Sequence, residues 1–389
     1  MKTDHIALLD HHAHAIFRED VWRTTPLSAY FTEAYDAGVL AEHTPHAIFY
    51  RRSLRDLAAF YGCAPTLDDV MLARASRPYL TLARDLIRAA NIDEVLLDDG
   101  FMPDELLSVA ECDALLPWRA RRVLRLEVEL AALVAQHDGA QALLDAFEQR
   151  LRAVSPGIVG FKSVIAYRTG LDVQTWSGPE VEAEYAQLKR GLVPGRLPRL
   201  TSKPLLDTAL RVGLRVARDL GLPVQFHTGY GDPDLDLRLA NPLHLRGVIE
   251  DAGLRGLQVV LLHCYPYTRQ AGYLASVYPG VFLDLGLTIP FTSQHAMRTH
   301  VHEALHLAPL SKVLLSTDAS RTPELYYLAA LWGRRVLERV LDATVADGDL
   351  TAQEAEAAAW RVLRGNALQL YSLDGAERAI GGPAVTRSV

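Results

Sequence analysis

The sequence predicts an α/β fold, a (β/α)8 TIM barrel with a helical insertion after its first strand. Two observations lead there. Eight short runs rich in leucine and β-branched residues are spaced along the chain, and longer stretches with helical periodicity separate them. The runs are almost continuously apolar, as parallel strands covered on both faces must be. Eight of them with helices between favour a closed barrel over an open, doubly wound sheet. A chain of 389 residues could hold two domains. Barrels of this kind run as one unit, here residues 1–373.

The runs are residues 6–10 (IALLD), 94–98 (EVLLD), 122–127 (RVLRLE) and 158–163 (IVGFKS), then 223–227 (PVQFH), 258–263 (QVVLLH), 281–285 (VFLDL) and 313–318 (VLLSTD). The helix expected at 201–220 illustrates the punctuation between them. Ser202 can cap it, Pro204 opens the first turn, and Leu205, Leu206, Ala209, Leu210, Leu214 and Ala217 form an apolar stripe. Gly221 and Pro223 end it. Residues 20–90 exceed what a minimal barrel needs. They are helical in pattern (SLRDLAAFYG, TLDDVMLARA) and rich in aromatics, and they read as a lid or pocket subdomain. Residues 374–389 read as a flexible tail.

Forty basic residues face 47 acidic ones, a net charge of −7. That balance builds no field for nucleic acid or an anionic membrane. The expected partner is a small-molecule substrate, and a homo-oligomer follows only from base rates. Cys63, Cys112 and Cys264 are far apart and form no CxxC pair, which argues against disulfides and a cysteine-rich zinc site. The polar, histidine-rich start and the lack of a long apolar run point to a soluble, cytoplasmic protein. Lysine stands only at Lys2, Lys162, Lys189, Lys203 and Lys312; the other basic residues are arginine. A lysine kept inside an apolar run is therefore conspicuous.

The chemistry gathers at the predicted strand ends. The first run leads into Asp10-His11-His12-Ala13-His14, and on an extended backbone His12 and His14 point to one side. Run four ends in Phe161-Lys162-Ser163, run five at His227, run six at His263 and run eight at Asp318. The C-terminal ends of barrel strands are where catalytic groups sit. Neutral imidazoles with a carboxylate suit zinc, and also iron, manganese or nickel. Such an ion brings the pKa of bound water toward about 7, leaving Asp318 to orient the resulting hydroxide and take its proton. Lys162 among metal cations would lose its proton. The neutral amine could then add carbon dioxide and become N6-carboxylysine, an anion suited to bridging two metals. A plain lysine that donates hydrogen bonds or supplies charge, and a lysine with a structural role, are the other readings.

Together these residues resemble the amidohydrolase superfamily of metal-dependent hydrolases. GFKSVIAYR, from Gly160 to Arg168, is similar to the segment that carries a carboxylated lysine in hydantoinase-type members. QFHTGYGDPDLDL, LLHCYPYTRQAGYLA, VLLSTDASRTPELYYLA and the late RGNALQLY look like one subgroup. That subgroup includes the domain fused to a glutamine-synthetase-like domain in some fungi and plants. The resemblance implies that His12, His14, His227 and Asp318 hold metal. It implies that His263 is a second-metal ligand or an acid/base group, and that Lys162 joins the ligands only if carbamylated. The activity implied is hydrolysis of an amide-type C–N bond in a small, γ-glutamyl-like acidic substrate by metal-bound hydroxide. A mononuclear decarboxylase or uronate-isomerase-like member is the alternative.

His302-Glu303-Ala304-Leu305-His306 spells HExxH, but it falls between runs seven and eight, where a solvated outer helix is expected. Arg168, Arg269 and Arg321 follow runs four, six and eight; Arg168 and Arg321 are the candidates for gripping a substrate carboxylate. Tyr167, Tyr230, Tyr265 and Trp22 could form an apolar wall, and Asp98, Asp99 and Glu127 could add polar contacts.

Overall fold

The computed structural model describes residues 1–153 and 157–373; the expected tail at 374–389 lies outside the described residues. Eight strands form one parallel sheet in sequence order. They are β1 (Leu8–Ala13), β2 (Ile92–Asp98), β3 (Arg119–Arg125), β4 (Ile158–Ser163), β5 (Val224–His227), β6 (Val259–Leu262), β7 (Val281–Asp284) and β8 (Val313–Leu314). Closure occurs just beyond β8. The Asp318 N–H donates to the His12 carbonyl at 3.1 Å, the His14 N–H to the Ala319 carbonyl at 2.8 Å, and the Arg321 N–H to the Ala15 carbonyl at 3.0 Å. This completes the (β/α)8 barrel that the alternating pattern predicts.

Two strands end two or more residues earlier than their sequences suggest. Residues 316–318 extend the apolar run of β8 but leave the ladder, because other groups take their amides. The Ser316 N–H goes to Asp284 Oδ1 at 2.9 Å and the Thr317 N–H to Asp10 Oδ1 at 2.9 Å. β3 stops at Arg125, so Glu127 does not end a strand; it lies in the first turn of the helix Leu126–Val134. There its carboxylate accepts from the Ser163 hydroxyl at 2.7 Å and the Val164 N–H at 3.0 Å, holding the turn after β4. The helix Lys203–Leu220 matches its expected limits, with Gly221 left-handed at its end (φ 63°). Ser202 occupies the cap position, but its hydroxyl makes no cap bond.

Two apolar layers support the sheet. Outside, strands pack on helices. Inside, Leu9, Leu96, Val123, Val159, Val260 and Leu314 meet Ala367, Leu370 and Tyr371, so the last helix, Asn366–Leu370, closes the barrel floor. No helix among the described residues is long and apolar enough to cross a membrane.

The segment after β1 is helical, with Glu19–Thr24, Ile48–Tyr61, Leu67–Ala75 and Tyr79–Ala90. Tyr79–Ala90 packs beside β2 and the long helix Pro323–Ala346, as a regular outer barrel helix does. The excursion read at 20–90 therefore includes one element of the barrel itself. A buried ionic cluster pins the rest. The Arg74 guanidinium lies 3.5 Å from the Trp22 ring centroid and donates to Glu324 at 2.6 Å. The Tyr61 hydroxyl donates to the same carboxylate at 3.1 Å, and Trp22 Nε1–H to Thr322 at 3.1 Å. Burial opposes ionisation of Glu324, but Arg74 and Thr322 outweigh it and hold its carboxyl below the usual range.

Removing one partner of such a pair strands the other charge in the interior. We expect Arg74→Leu to cost about 3–5 kcal/mol in denaturant unfolding. The double variant Arg74→Leu/Glu324→Leu should recover most of that loss.

Candidate metal centre

The closing hydrogen bonds bring the ends of β1 and β8 together, and with them three ligand-type side chains. His12 Nε2 lies 3.1 Å and His14 Nε2 3.6 Å from Asp318 Oδ1. Among the described residues, His12, His14 and Asp318 are the one group of three such side chains with ligand atoms mutually within 4.8 Å. Asp318 Oδ1 is buried and has no hydrogen-bond partner among the described residues. A desolvated carboxylate oxygen left this way is costly. A cation would satisfy it, so the donor set fits a divalent metal.

The remaining predicted ligands surround this group. His263 Nε2 is 3.6 Å from Asp318 Oδ2, and the His227 and His263 ring centroids are 4.6 Å apart. Lys162 is buried, with Nζ 3.3 Å from His12 Nε2. Burial pushes the His12, His227 and His263 imidazoles well below their ordinary range and brings His14 to about 4. They are thus neutral at pH 7, the form that binds metal. Burial also pulls the Lys162 ammonium down to about 8, against the attraction of Asp98 and Asp318. Burial drives the Asp318 carboxyl up, and Lys162 opposes that. His263 and Asp318 both adopt left-handed backbone conformations (φ 68° and 47°), which are strained for non-glycine residues and concentrate at functional sites.

The sequence model described as amidohydrolase matches residues 118–373, more than half of the chain. The chain belongs to the amidohydrolase family. It is 33% identical over 401 residues to protein fluG of Emericella nidulans; the match takes in 94% of this chain and 46% of that protein. The chain thus spans about half the length of this curated relative. A structure described as a metal-dependent hydrolase from Lactobacillus casei is 31% identical, with a TM-score of 0.83, covering 95% of this chain and 96% of that one. Uronate isomerase from Thermotoga maritima shares the fold alone, at 13% identity and a TM-score of 0.64, covering 94% of this chain and 95% of that one.

In this amidohydrolase the centre opens into a cavity of about 530 Å³, a size that suits a small molecule. His12, His14, Lys162, Arg168, His227, His263, Asp318 and Arg321 all line it, so the expected metal ligands and both arginines expected to grip a carboxylate reach one pocket. Arg168 has Nε and Nη1 buried with no partner among the described residues. Arg321 lies near Glu33, a residue of the segment after β1 that also faces the cavity. Tyr167 lines the wall. Arg269 does not reach the pocket: it is exposed and pairs with Glu303 on the outer helix Gln294–Leu307 at 2.7 Å. That pairing occupies the glutamate of the HExxH pattern, and His302 and His306 are exposed. Trp22 belongs to the ionic cluster beneath the insertion, not to the wall.

Arg125 was not anticipated. It lines the cavity and donates to Asp98 at 2.6 Å, holding that carboxyl at about 2 despite burial. With the strand read through to Glu127, Arg125 seemed to be mid-strand and not at its end. Gly100 leaves room for it, since a Cβ there would strike the Arg125 side chain.

We expect chelation to lower the melting temperature, and zinc or manganese to restore it. A ligand at one hundred times its Kd adds about 2.7 kcal/mol. His14→Ala should remove most of this metal-dependent increment, as read by differential scanning fluorimetry.

Proposed function

We propose that this amidohydrolase cleaves the amide-type C–N bond of a small acidic substrate, with a γ-glutamyl amide as the first class to try. The observation carrying this is the unpartnered Asp318 Oδ1 between two neutral imidazoles, in the same cavity as the unpartnered Arg168 donors. His12, His14 and Asp318 would hold the first metal, with His227 and His263 beside it. A second metal would require Lys162 as the carbamate. When bound, the metal supplies Lewis acidity toward a carbonyl and a lowered pKa for water. The chain's own groups do the rest. Asp318 accepts the proton of the attacking water and returns it to the departing nitrogen. Neutral His263 polarises the substrate oxygen. Arg168 and Arg321 hold the substrate's carboxylate. Lys162, brought to about 8 by burial, presents the neutral amine that carbon dioxide needs, losing one proton as the carbamate forms.

The subgroup whose members carry a glutamine-synthetase-like fusion is supported by the match to protein fluG, which leaves more than half of that relative unmatched. One observation favours a mononuclear isomerase or decarboxylase instead: the compact ligand group holds only one metal's worth of donors. Elemental analysis with and without bicarbonate separates the two. Two equivalents per chain with bicarbonate are expected; one equivalent under both conditions supports the mononuclear reading.

Metal-restored enzyme should release amine or ammonia from γ-glutamyl amides, and Asp318→Asn should abolish the release. No turnover at full metal occupancy would overturn this substrate class. Arg168→Met should raise KM about tenfold or more with kcat little changed, because the lost grip is equal in ground and transition states.

A further inference from the structure

Beneath the centre lies a chain of hydrogen bonds that no catalytic step above uses. The strand register shifts between Asp10 and Ala13. His11 and His12 both reach across the barrel there, His11 to Asp284 on β7 and His12 to Gln225 on β5. Gln225 connects them. One end of its amide lies 2.8 Å from the His11 backbone carbonyl and 2.8 Å from the Tyr371 hydroxyl. A carbonyl only accepts, so the atom facing it must be the amide nitrogen. The amide oxygen Oε1 therefore faces His12 Nδ1, at 2.8 Å. An amide oxygen also only accepts, so His12 Nδ1 must carry its proton. Nε2 is then left unprotonated, 3.1 Å from Asp318 Oδ1.

We propose that Gln225, oriented by Tyr371 and the His11 carbonyl, is the positioning residue that sets His12 in its Nε2-ligating tautomer before any metal arrives. The rest of the network agrees on proton direction. The Asp284 carboxylate lies 2.9 Å from His11 Nε2 and accepts the proton there. The Tyr371 hydroxyl lies 3.3 Å from His11 Nδ1, and its oxygen accepts from Gln225. On the site side, Lys162 Nζ lies 3.3 Å from His12 Nε2 and donates to that lone pair. A metal-binding histidine usually gives its other N–H to a fixed acceptor, and losing that acceptor costs about 10–100-fold in affinity. Here the acceptor is neutral, and it is held from the barrel floor by Tyr371, the residue that follows the closing helix.

The inference rests on His12 as a metal ligand and does not depend on which bond is hydrolysed. Its readouts are accordingly independent of turnover. In metal-free, 15N-histidine-labelled protein, His12 should show the Nδ1–H tautomer by long-range 1H–15N correlation; the Nε2–H tautomer would overturn the proposal. Gln225→Leu, close in volume and unable to accept, should weaken zinc affinity about 10–100-fold in chelator competition. Gln225→Glu, which keeps an acceptor toward His12, should retain more affinity than Gln225→Leu. Wild-type affinity in a folded Gln225→Leu variant would also overturn the proposal. If that variant does not fold, the tautomer measurement on the unaltered chain still decides.

Discussion

The Asp318 amide donates to the His12 carbonyl across the seam of the barrel, and the rest of the centre depends on that bond. A sheet of eight parallel strands can close only if its first and last strands meet. Here they meet beyond the end of the β8 ladder, at the residues that carry ligand side chains. Closure and site assembly are therefore one event. The register that joins His12 to Asp318 and His14 to Ala319 also sets Nε2 of both histidines against the same carboxylate oxygen. A slip of one residue would turn the side chains of β1 to the other face and separate the group. The catalytic geometry is thus protected by the apolar layers that fix the register.

The same burial sets the protonation states. A water-exposed cluster of histidines would titrate near neutrality and bind protons in competition with metal. Desolvation removes that competition by keeping the imidazoles neutral, and it opposes the Lys162 ammonium. The cost is visible in buried polar atoms that lack partners among the described residues: Asp318 Oδ1, His263 Nδ1 and two nitrogens of Arg168. Three of these four face the region where ligand atoms and substrate groups would go.

What was legible in the sequence follows from where information lies along a strand. Each expected ligand sits at or near the end of an apolar run, so locating the run locates the residue; His227, Lys162 and Asp318 are readable for that reason. Arg125 was missed because the apolar pattern continues through Leu126 after the backbone has become helical, and periodicity cannot register the change. Gln225 and Asp284 were missed for a different reason. They lie inside short apolar runs, PVQFH and VFLDL, and their partners are hundreds of residues away or on other strands. Nothing local marks a buried polar residue as part of a network until the barrel brings its partners together. The insertion was recognised as helical, but its attachment through Arg74 and Glu324 joins residues 250 apart, and neither stands in a motif.

Asp284 shows how the strained strand ends are held. Left-handed φ angles at His263 and Asp318 cost on the order of 1–3 kcal/mol each, so something must oppose relaxation. Asp284 accepts the His263 N–H at 3.2 Å through one oxygen and the Ser316 N–H at 2.9 Å through the other. It thereby grips the end of β6 at the kink and the end of β8 two residues before Asp318. The oxygen that takes Ser316 also takes His11 on β1. One carboxylate thus ties together the three strands that present His12, His263 and Asp318. Its charge is what makes this possible: a neutral amide in its place would offer one accepting oxygen where the fold uses two. An ionised carboxylate buried in a barrel is expensive, and hydrogen bonds from β1, β6 and β8 offset that expense.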